Sequence, residues 1–372
     1  MGNVTSVNLR KIAMEAGVSH MTVSRVLRGA GRVAEETRER VMRVAGELGY
    51  RPNPLVQAYA AQVRRGRAAA SACNLAWLPS DPEGRSEPLP WAKPYLEGAQ
   101  ARAEELGFPL DTTLNAHGVT DARLERIFES RGIRGIVLPQ MQYHDRHPFQ
   151  GERTAEVGIG ENPDARPMHA VTADFFKNVT TCVDALLGAG YRRIGFCEHD
   201  HSVVVSQAMH WGSYLWNQHR LEARLRVISG LPLRPETVAA SRRKFLDWVE
   251  AEKPDAVIVT FYQAGAWLRE AGIRAPQDIG LAHLALTPDV EGWSGIDQNP
   301  AEIGAAAVEM LVGNILHNEY GVPERPRILR LPGSWVQGKT TRPMPKRAPA
   351  LPQSHTHSHE WFGKWFWKNG RG

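Results

Sequence analysis

The chain has 372 residues, with 45 Lys and Arg against 40 Asp and Glu (formal net charge +5) and 42% hydrophobic residues. That length suits two or three domains with a sizeable core, which sets aside a wholly disordered chain. No apolar run approaches the ~18 residues of a membrane span, residues 1–11 lack a signal peptide's apolar stretch, and Cys73, Cys182 and Cys197 are too scattered for a disulfide framework or a CxxC metal site, so a cytoplasmic protein is expected.

The charge is unevenly spread. Residues 1–67 hold 12 basic against 5 acidic residues, net +7; residues 68–342 hold 28 against 34, net −6; residues 343–372 hold 5 against 1, net +4. A basic head on an acidic body is the footprint of a small anion-binding module joined to a domain with another task.

In chain order, Asn8 is placed to cap a first helix carrying Leu9, Ile12 and Ala13 inward, and Gly17 ends it. Ser19 is the next N-cap, for a helix from His20 to about Leu27 that turns Val23, Val26 and Leu27 inward. A Gly29/Gly31 turn leads to a third helix, about Ala34 to Leu48, with Gly49 at the C-terminal cap position. Two helices joined by a tight glycine turn within about 20 residues form a helix-turn-helix pattern, whose second helix fits the DNA major groove.

The run Ile12-Ala13-Met14-Glu15-Ala16-Gly17-Val18-Ser19-His20-Met21-Thr22-Val23-Ser24-Arg25-Val26-Leu27 closely resembles the DNA-binding signature of the lactose-repressor (LacI/GalR-type) family. Thr37-Arg38, and Leu48 through Asn53, resemble that family's third helix and the lead-in to its hinge. The resemblance implies major-groove base contacts from His20, Met21 and Arg25, with Arg25 suited to bridging O6 and N7 of guanine. Asn8, Thr22 and Ser24 match phosphate-contacting or helix-capping positions, which orient without reading sequence, and Ser19 and Arg28 complete the expected DNA-binding set. The plainer alternative leaves His20 and Met21 as exposed helix residues. The hinge, with Asn53, Val56 and Tyr59 facing DNA, resembles the family's short helix that forms on the operator. Tyr59 stands where relatives place a leucine; it either wedges into the central minor-groove step or packs hinge against hinge.

After Arg67, short apolar runs alternate with amphipathic helices. Strands are expected at Asn74–Leu78, Ile133–Leu138, Ala155–Ile159, Ala170–Thr172, Arg193–Cys197, Ala256–Thr260 and Ile279–Leu284. Helices are expected between them, for example at Pro94–Leu106, Asn178–Gly188, Gln207–Asn217, Arg242–Glu252 and Ile303–His317. Such alternation implies parallel sheets flanked by helices. The fold class is therefore α/β: an all-α helix-turn-helix N-terminal domain, plus a two-subdomain periplasmic-binding-protein-like body of the family's kind. The boundaries read as 1–52 for the DNA-binding domain, 53–70 for hinge and linker, 71–342 for the effector and dimerisation body, and 343–372 for a basic tail. Within the body, 71–170 with 300–326 form one subdomain and 171–299 with 327–342 the other.

Ligands of such folds sit at the carboxyl ends of the strands, which selects Ser80, Asp81, His199, Asp200, Met209, Phe261, Tyr262 and Gln298. Sugar-binding relatives carry an arginine where Met209 stands and an aspartate where Ala285 and Leu286 follow the strand, so a sugar held in the usual manner is disfavoured. Glu198-His199-Asp200-His201 and His144-Asp145-Arg146-His147 read as polar loops rather than metal sites, and Gly158-Ile159-Gly160 and Gly188-Ala189-Gly190 lack dinucleotide-binding spacing. No GxSxG or HExxH occurs, so no catalytic residue, metal or cofactor is expected. The tail combines a Pro-rich linker with His355, His357, His359, Trp361, Phe362, Trp365, Phe366 and Trp367; it reads as partly disordered or docked on the body, with metal sharing or partner docking as alternatives.

The expectation is a homodimeric repressor of a palindromic DNA operator, controlled by a small molecule in the cleft, acting on the nucleoid in the cytoplasm without a membrane partner. Two alternatives stand beside it: a solute-binding protein, and a regulator of this fold that has lost ligand control.

Overall fold

The computed structural model describes residues 9–19, 22–23, 26, 34–48, 73–79, 89–139, 153–161, 167–221, 228–234 and 237–343. The chain divides into two compact units, the first built on residues 1–72 and the second on 73–315 and 320–372. The expectations for the hinge and for the histidine- and tryptophan-rich tail lie outside the described residues.

In the first unit, α1 (Leu9–Glu15) ends before Gly17, which takes φ +62°, a left-handed turn that suits glycine. Thr22, Val23 and Val26 are helical, and α2 spans Glu35–Glu47, one residue inside the expected bounds at each end. Ile12, Ala13, Ala16, Val23, Val26, Val41, Val44 and Ala45 are all buried in one core, with Val18 and Leu48 packed against it. These are small or β-branched side chains, so the three helical segments meet closely with little volume to fill.

The second unit holds two six-stranded sheets. The first runs β11 (Ile328–Leu331), β5 (His169–Ala173), β4 (Ala155–Ile159), β3 (Ile133–Leu138), β1 (Asn74–Trp77) and β2 (Leu110–Asp111), every pair parallel. The second runs β12 (Ser334–Val336), β10 (Ser294–Asp297), β9 (Gly280–His283), β8 (Ala256–Val259), β6 (Ile194–His199) and β7 (Leu231–Leu233), parallel except for the β10–β12 pair. The central strands are buried along nearly their whole length because helices cover both faces, as parallel sheets require, and β8 is wholly apolar.

Helices α3 (Lys93–Glu105), α4 (Asp121–Arg131) and α10 (Pro300–His317) accompany the first sheet. With the second go α5 (Phe175–Gly188), α6 (Asp200–Val205), α7 (Met209–Arg220), α8 (Val238–Glu252) and α9 (Gln263–Glu270). On one face of the second sheet, Val179, Val183, Leu186, Tyr191, Phe196 and Tyr214 form a buried cluster. On the other, Phe245, Trp248, Phe261, Trp267 and Leu281 do so.

The third crossing between subdomains differs from the sequence expectation. Because Ile328–Leu331 pairs in register with β5, it belongs to the first sheet, and the chain crosses at Pro332-Gly333 rather than at 326/327. Strands β2, β7, β10, β11 and β12 add to the strands expected.

Within the first subdomain, α3 and α10 cross backbone to backbone at two glycines. A Cβ on Gly98 would overlap the Ala301 carbonyl, and one on Gly304 would overlap the Tyr95 carbonyl oxygen. Arg102 ties the same helices through Glu309 at 2.7 Å. Replacing a mid-helix glycine by alanine ordinarily adds up to about 1 kcal/mol of stability. At Gly304 the overlap outweighs that gain, and Gly304→Ala should lower unfolding free energy by about 1–3 kcal/mol. Gly212→Ala, on α7 with open space around it, should leave stability unchanged or raise it. Urea unfolding of the two variants checks both signs.

Candidate DNA-reading head and ligand cleft

The start of the second helix of the head is fixed by Ser19. Its hydroxyl oxygen accepts the Thr22 N–H at 3.1 Å and lies 2.9 Å from the Thr22 hydroxyl, while its carbonyl accepts the Val23 N–H. This is an N-cap: it satisfies an orphan donor of the first turn and sets the direction in which the helix leaves the turn. Ser19 is exposed and Thr22 half-buried, so both stay at the surface of the head. Asn8, His20, Met21, Ser24, Arg25, Arg28, Asn53, Val56 and Tyr59 lie outside the described residues, as do Ser80 and Asp81 of the cleft.

The body's two sheets are joined at three crossings, stitched mainly by side chains. Asp174 donates its N–H to the Leu331 carbonyl, joining the first crossing to the third, and its carboxylate caps α5 through the Lys177 N–H at 2.8 Å. Asn178, fully buried, accepts the Gly333 N–H at 2.7 Å. Asn299, held at φ +55°, donates from Nδ2 to the Pro332 carbonyl at 3.1 Å, and Asp297 accepts the Asn299 N–H at 2.8 Å. Backbone leaving a sheet exposes groups that the ladder no longer pairs, and carboxamides and carboxylates here pair them instead.

Of the expected cleft residues, His199 ends β6 half-buried, with its ring edge toward Phe261 at 5.9 Å. Burial lowers its pKa below the ordinary histidine value, partly opposed by the charge of Asp200. Asp200 opens α6 and lies 3.5 Å from Arg234. Phe261 is buried among Phe245 and Trp267, at centroid distances of 5.8 and 5.4 Å, which makes it core more than cleft wall. Tyr262 is 55% exposed. Gln298 donates to the Leu284 carbonyl at 2.9 Å and so helps join β10 to β9. Met209, half-buried, opens α7. Glu198 turns inward to His210, Oε1 to Nδ1 2.6 Å, so the run Glu198-His199-Asp200 diverges rather than converging on one point.

Sequence reasoning missed Glu161, Gln207 and Arg330, which meet across the two subdomains. It also missed the Glu198–His210 pair and the crossing residues Asn178 and Asn299. A lone Glu after a Gly-Ile-Gly strand end was the only local sign of the first group.

Compared with known proteins, residues 8–53 match the profile of bacterial regulatory proteins of the lacI family, and residues 183–341 match the periplasmic binding protein-like domain. The repressor MelR of Bacillus subtilis (strain 168) is 27% identical over 211 residues, 55% of this chain and 58% of that protein. The regulator GalS of Salmonella typhimurium is 49% identical over 57 residues, 15% of this chain and 17% of that protein. The chain thus spans just over half of MelR's length and under a fifth of GalS's. CelR of Thermobifida fusca is 24% identical over 73% of this chain and 80% of its own. Among solved structures, a CelR–cellobiose complex aligns over 90% of this chain and 99% of its own, with TM-score 0.55 at 21% identity. A lac repressor dimer bound to operator and the anti-inducer ONPF aligns over 91% of this chain and 100% of its own, with TM-score 0.51 at 19% identity.

The fold and the matched segments describe a chain in which a lacI-type head is joined to a periplasmic-binding-protein-like body. The resemblance to the lacI family of bacterial regulatory proteins is carried by residues 8–53.

Two outcomes test the local physics. Ser19→Ala removes the cap and should cost the head about 0.5–2 kcal/mol, while Ser19→Gly should cost only a few tenths, read by thermal unfolding. His283, on β9 and nearly fully buried, accepts the Ala285 N–H through Nδ1 at 3.1 Å, and burial lowers its pKa to about 4. The unfolded chain returns this imidazole to about 6.5 and takes up a proton that the folded chain refuses. Stability should therefore fall as pH drops from about 6.5 toward 4, with an order-of-magnitude loss of about 3 kcal/mol. His283→Gln should flatten that limb in urea unfolding followed across pH.

Proposed function

We propose that the chain is a sequence-specific DNA-binding transcription regulator that represses from a palindromic operator as a homodimer, under control of a small molecule in the cleft of its body. The observation that carries this reading is the Ser19-capped helix held on a three-helix core, on the same chain as a two-sheet body joined at three crossings. Two such heads supply the helices for two half-sites, and the +7 of residues 1–67 supplies phosphate neutralisation. His20, Met21 and Arg25 are the base-reading candidates, and Asn8, Ser19, Thr22, Ser24 and Arg28 the orienting ones. Asn53, Val56 and Tyr59 enter the minor groove from the hinge. A lac repressor dimer bound to operator and anti-inducer shares the fold, as does a CelR–cellobiose complex, and these support the two-site arrangement.

In the cleft, Met209 and Ala285 offer no charged group to a polyol, so the effector is chemically unlike a sugar held by arginine and aspartate. His199 and Tyr262 remain as its polar and aromatic contacts. Selection of bound DNA from the native genome should return a palindromic site. On that site Arg25→Ala should cost about 1–3 kcal/mol, concentrated at one base position per half-site, and affinity should fall steeply with salt. A uniform loss across sequences would make Arg25 a phosphate contact, and failure to enrich any site would refute the regulator reading.

A further inference from the structure

Glu161 follows β4 of the first subdomain, and its side chain is only 5% exposed. Two groups from distant parts of the chain meet its carboxylate. Arg330, on edge strand β11 of the same sheet, places Nη2 2.8 Å from Oε1 and donates to Oε2 at 3.0 Å. Gln207, from the turn between α6 and α7 of the other subdomain, donates through Nε2 to Oε2, also at 3.0 Å.

The charge balance of this bridge is informative. One carboxylate and one guanidinium neutralise each other, and what the buried carboxylate still accepts is a neutral donor. The Gln207 carboxamide, itself exposed, is such a donor; a carboxylate in its place would set a second negative charge beside the buried Glu161. The turn that delivers it is conformationally costly. Gln207 and Ala208 both adopt left-handed backbone, φ 48° and 58°, although neither is glycine. Consecutive residues of this kind persist only where the surroundings hold them, on the order of 1 kcal/mol or more each. Ala208 is also the N-cap of α7, whose first residue is Met209 of the expected cleft. At the other end, Arg330 stands one residue before Leu331, whose carbonyl accepts the Asp174 N–H at the crossings.

We infer that Glu161, Arg330 and Gln207 form a latch that holds the two subdomains closed across the cleft, and that its release is the step through which cleft occupancy reaches the crossings. The latch itself is read from the body alone; its consequence for DNA rests on the regulator reading above. Gln207 lies two residues from Met209, so a ligand that moves the start of α7 moves the donor off Glu161. Loss of the bond relieves the left-handed turn and frees Glu161 and Arg330 to shift with β4 and β11. The two ends of this coupling must influence each other equally in binding free energy.

Hydrogen exchange of the full chain, followed by mass spectrometry, tests this. Gln207→Glu sets a second carboxylate against Glu161 with only Arg330 to balance both. Exchange at the backbone of 157–161 and 206–210 should accelerate at least tenfold, while the buried strand 256–259 keeps its protection. Gln207→Ala should accelerate the same segments less. The reciprocal pair Glu161→Gln with Gln207→Glu restores one carboxylate, one carboxamide and Arg330, and should return exchange toward the unsubstituted chain. Unchanged exchange in Gln207→Glu, or no rescue by the reciprocal pair, overturns the latch. Operator affinity of the same variants, measured on the genome-selected site, should track exchange. Accelerated exchange with unaltered affinity overturns the coupling, whereas a chain that selects no DNA fails the regulator reading and leaves the exchange result standing.

Discussion

Everything in the body depends on how three backbone segments leave one sheet and enter the other without stranding their polar groups. A strand inside a sheet pairs its N–H and C=O groups with neighbours, and a crossing segment loses those neighbours at once. Asn178, Asp297 and Asn299 supply the missing partners, two as carboxamides and one as a carboxylate. An unpaired buried backbone group costs about 1–3 kcal/mol, so each of these bonds matters most for the penalty it prevents. Beside these side-chain partners, one backbone bond, from the Asp174 N–H to the Leu331 carbonyl, ties the first crossing to the third. Side-chain bonds hold this junction where the ladders end, and the proposed ligand control requires it to turn.

How much of this is visible in the sequence follows from the same physics. Ile133–Leu138 and Ala155–Ile159 were expected with the bounds observed, since a strand buried on both faces is written as a short, mostly apolar run, here interrupted only by Arg134 and Glu156. Edge strands carry no such mark. Ile328-Leu329-Arg330-Leu331 is mostly exposed, and its identity comes from pairing with β5, a residue separation no local pattern encodes. That is why the third crossing was expected too early. Candidate cleft residues at strand ends were found where topology puts them, but their partners were not. Phe261 proved to be packed among rings and Gln298 tied to a carbonyl, while the Glu161–Gln207 bond joins residues 46 apart in sequence. In the head, the Ser19 cap was legible because capping is a local event, complete within four residues.

The division of charge matches this division of labour. A head at net +7 is drawn to polyanions and a body at −6 is repelled by them, while the +4 of residues 343–372 adds a second, smaller attraction. Such asymmetry also orients an encounter before any specific bond forms, and it weakens within a Debye length of about 8 Å at physiological salt.

The glycine crossing of α3 and α10 has a mechanical meaning. Where two helices meet through side chains, they slide past each other by small rotamer changes, and a subdomain deforms by shear. Where the backbones themselves touch, as at Gly98 and Gly304, there is no compliant layer between them, and sliding meets a steep repulsive wall. The first subdomain is therefore a stiff lever arm. Displacement applied to this helix pair moves α3 and α10 together instead of being taken up by sliding between them.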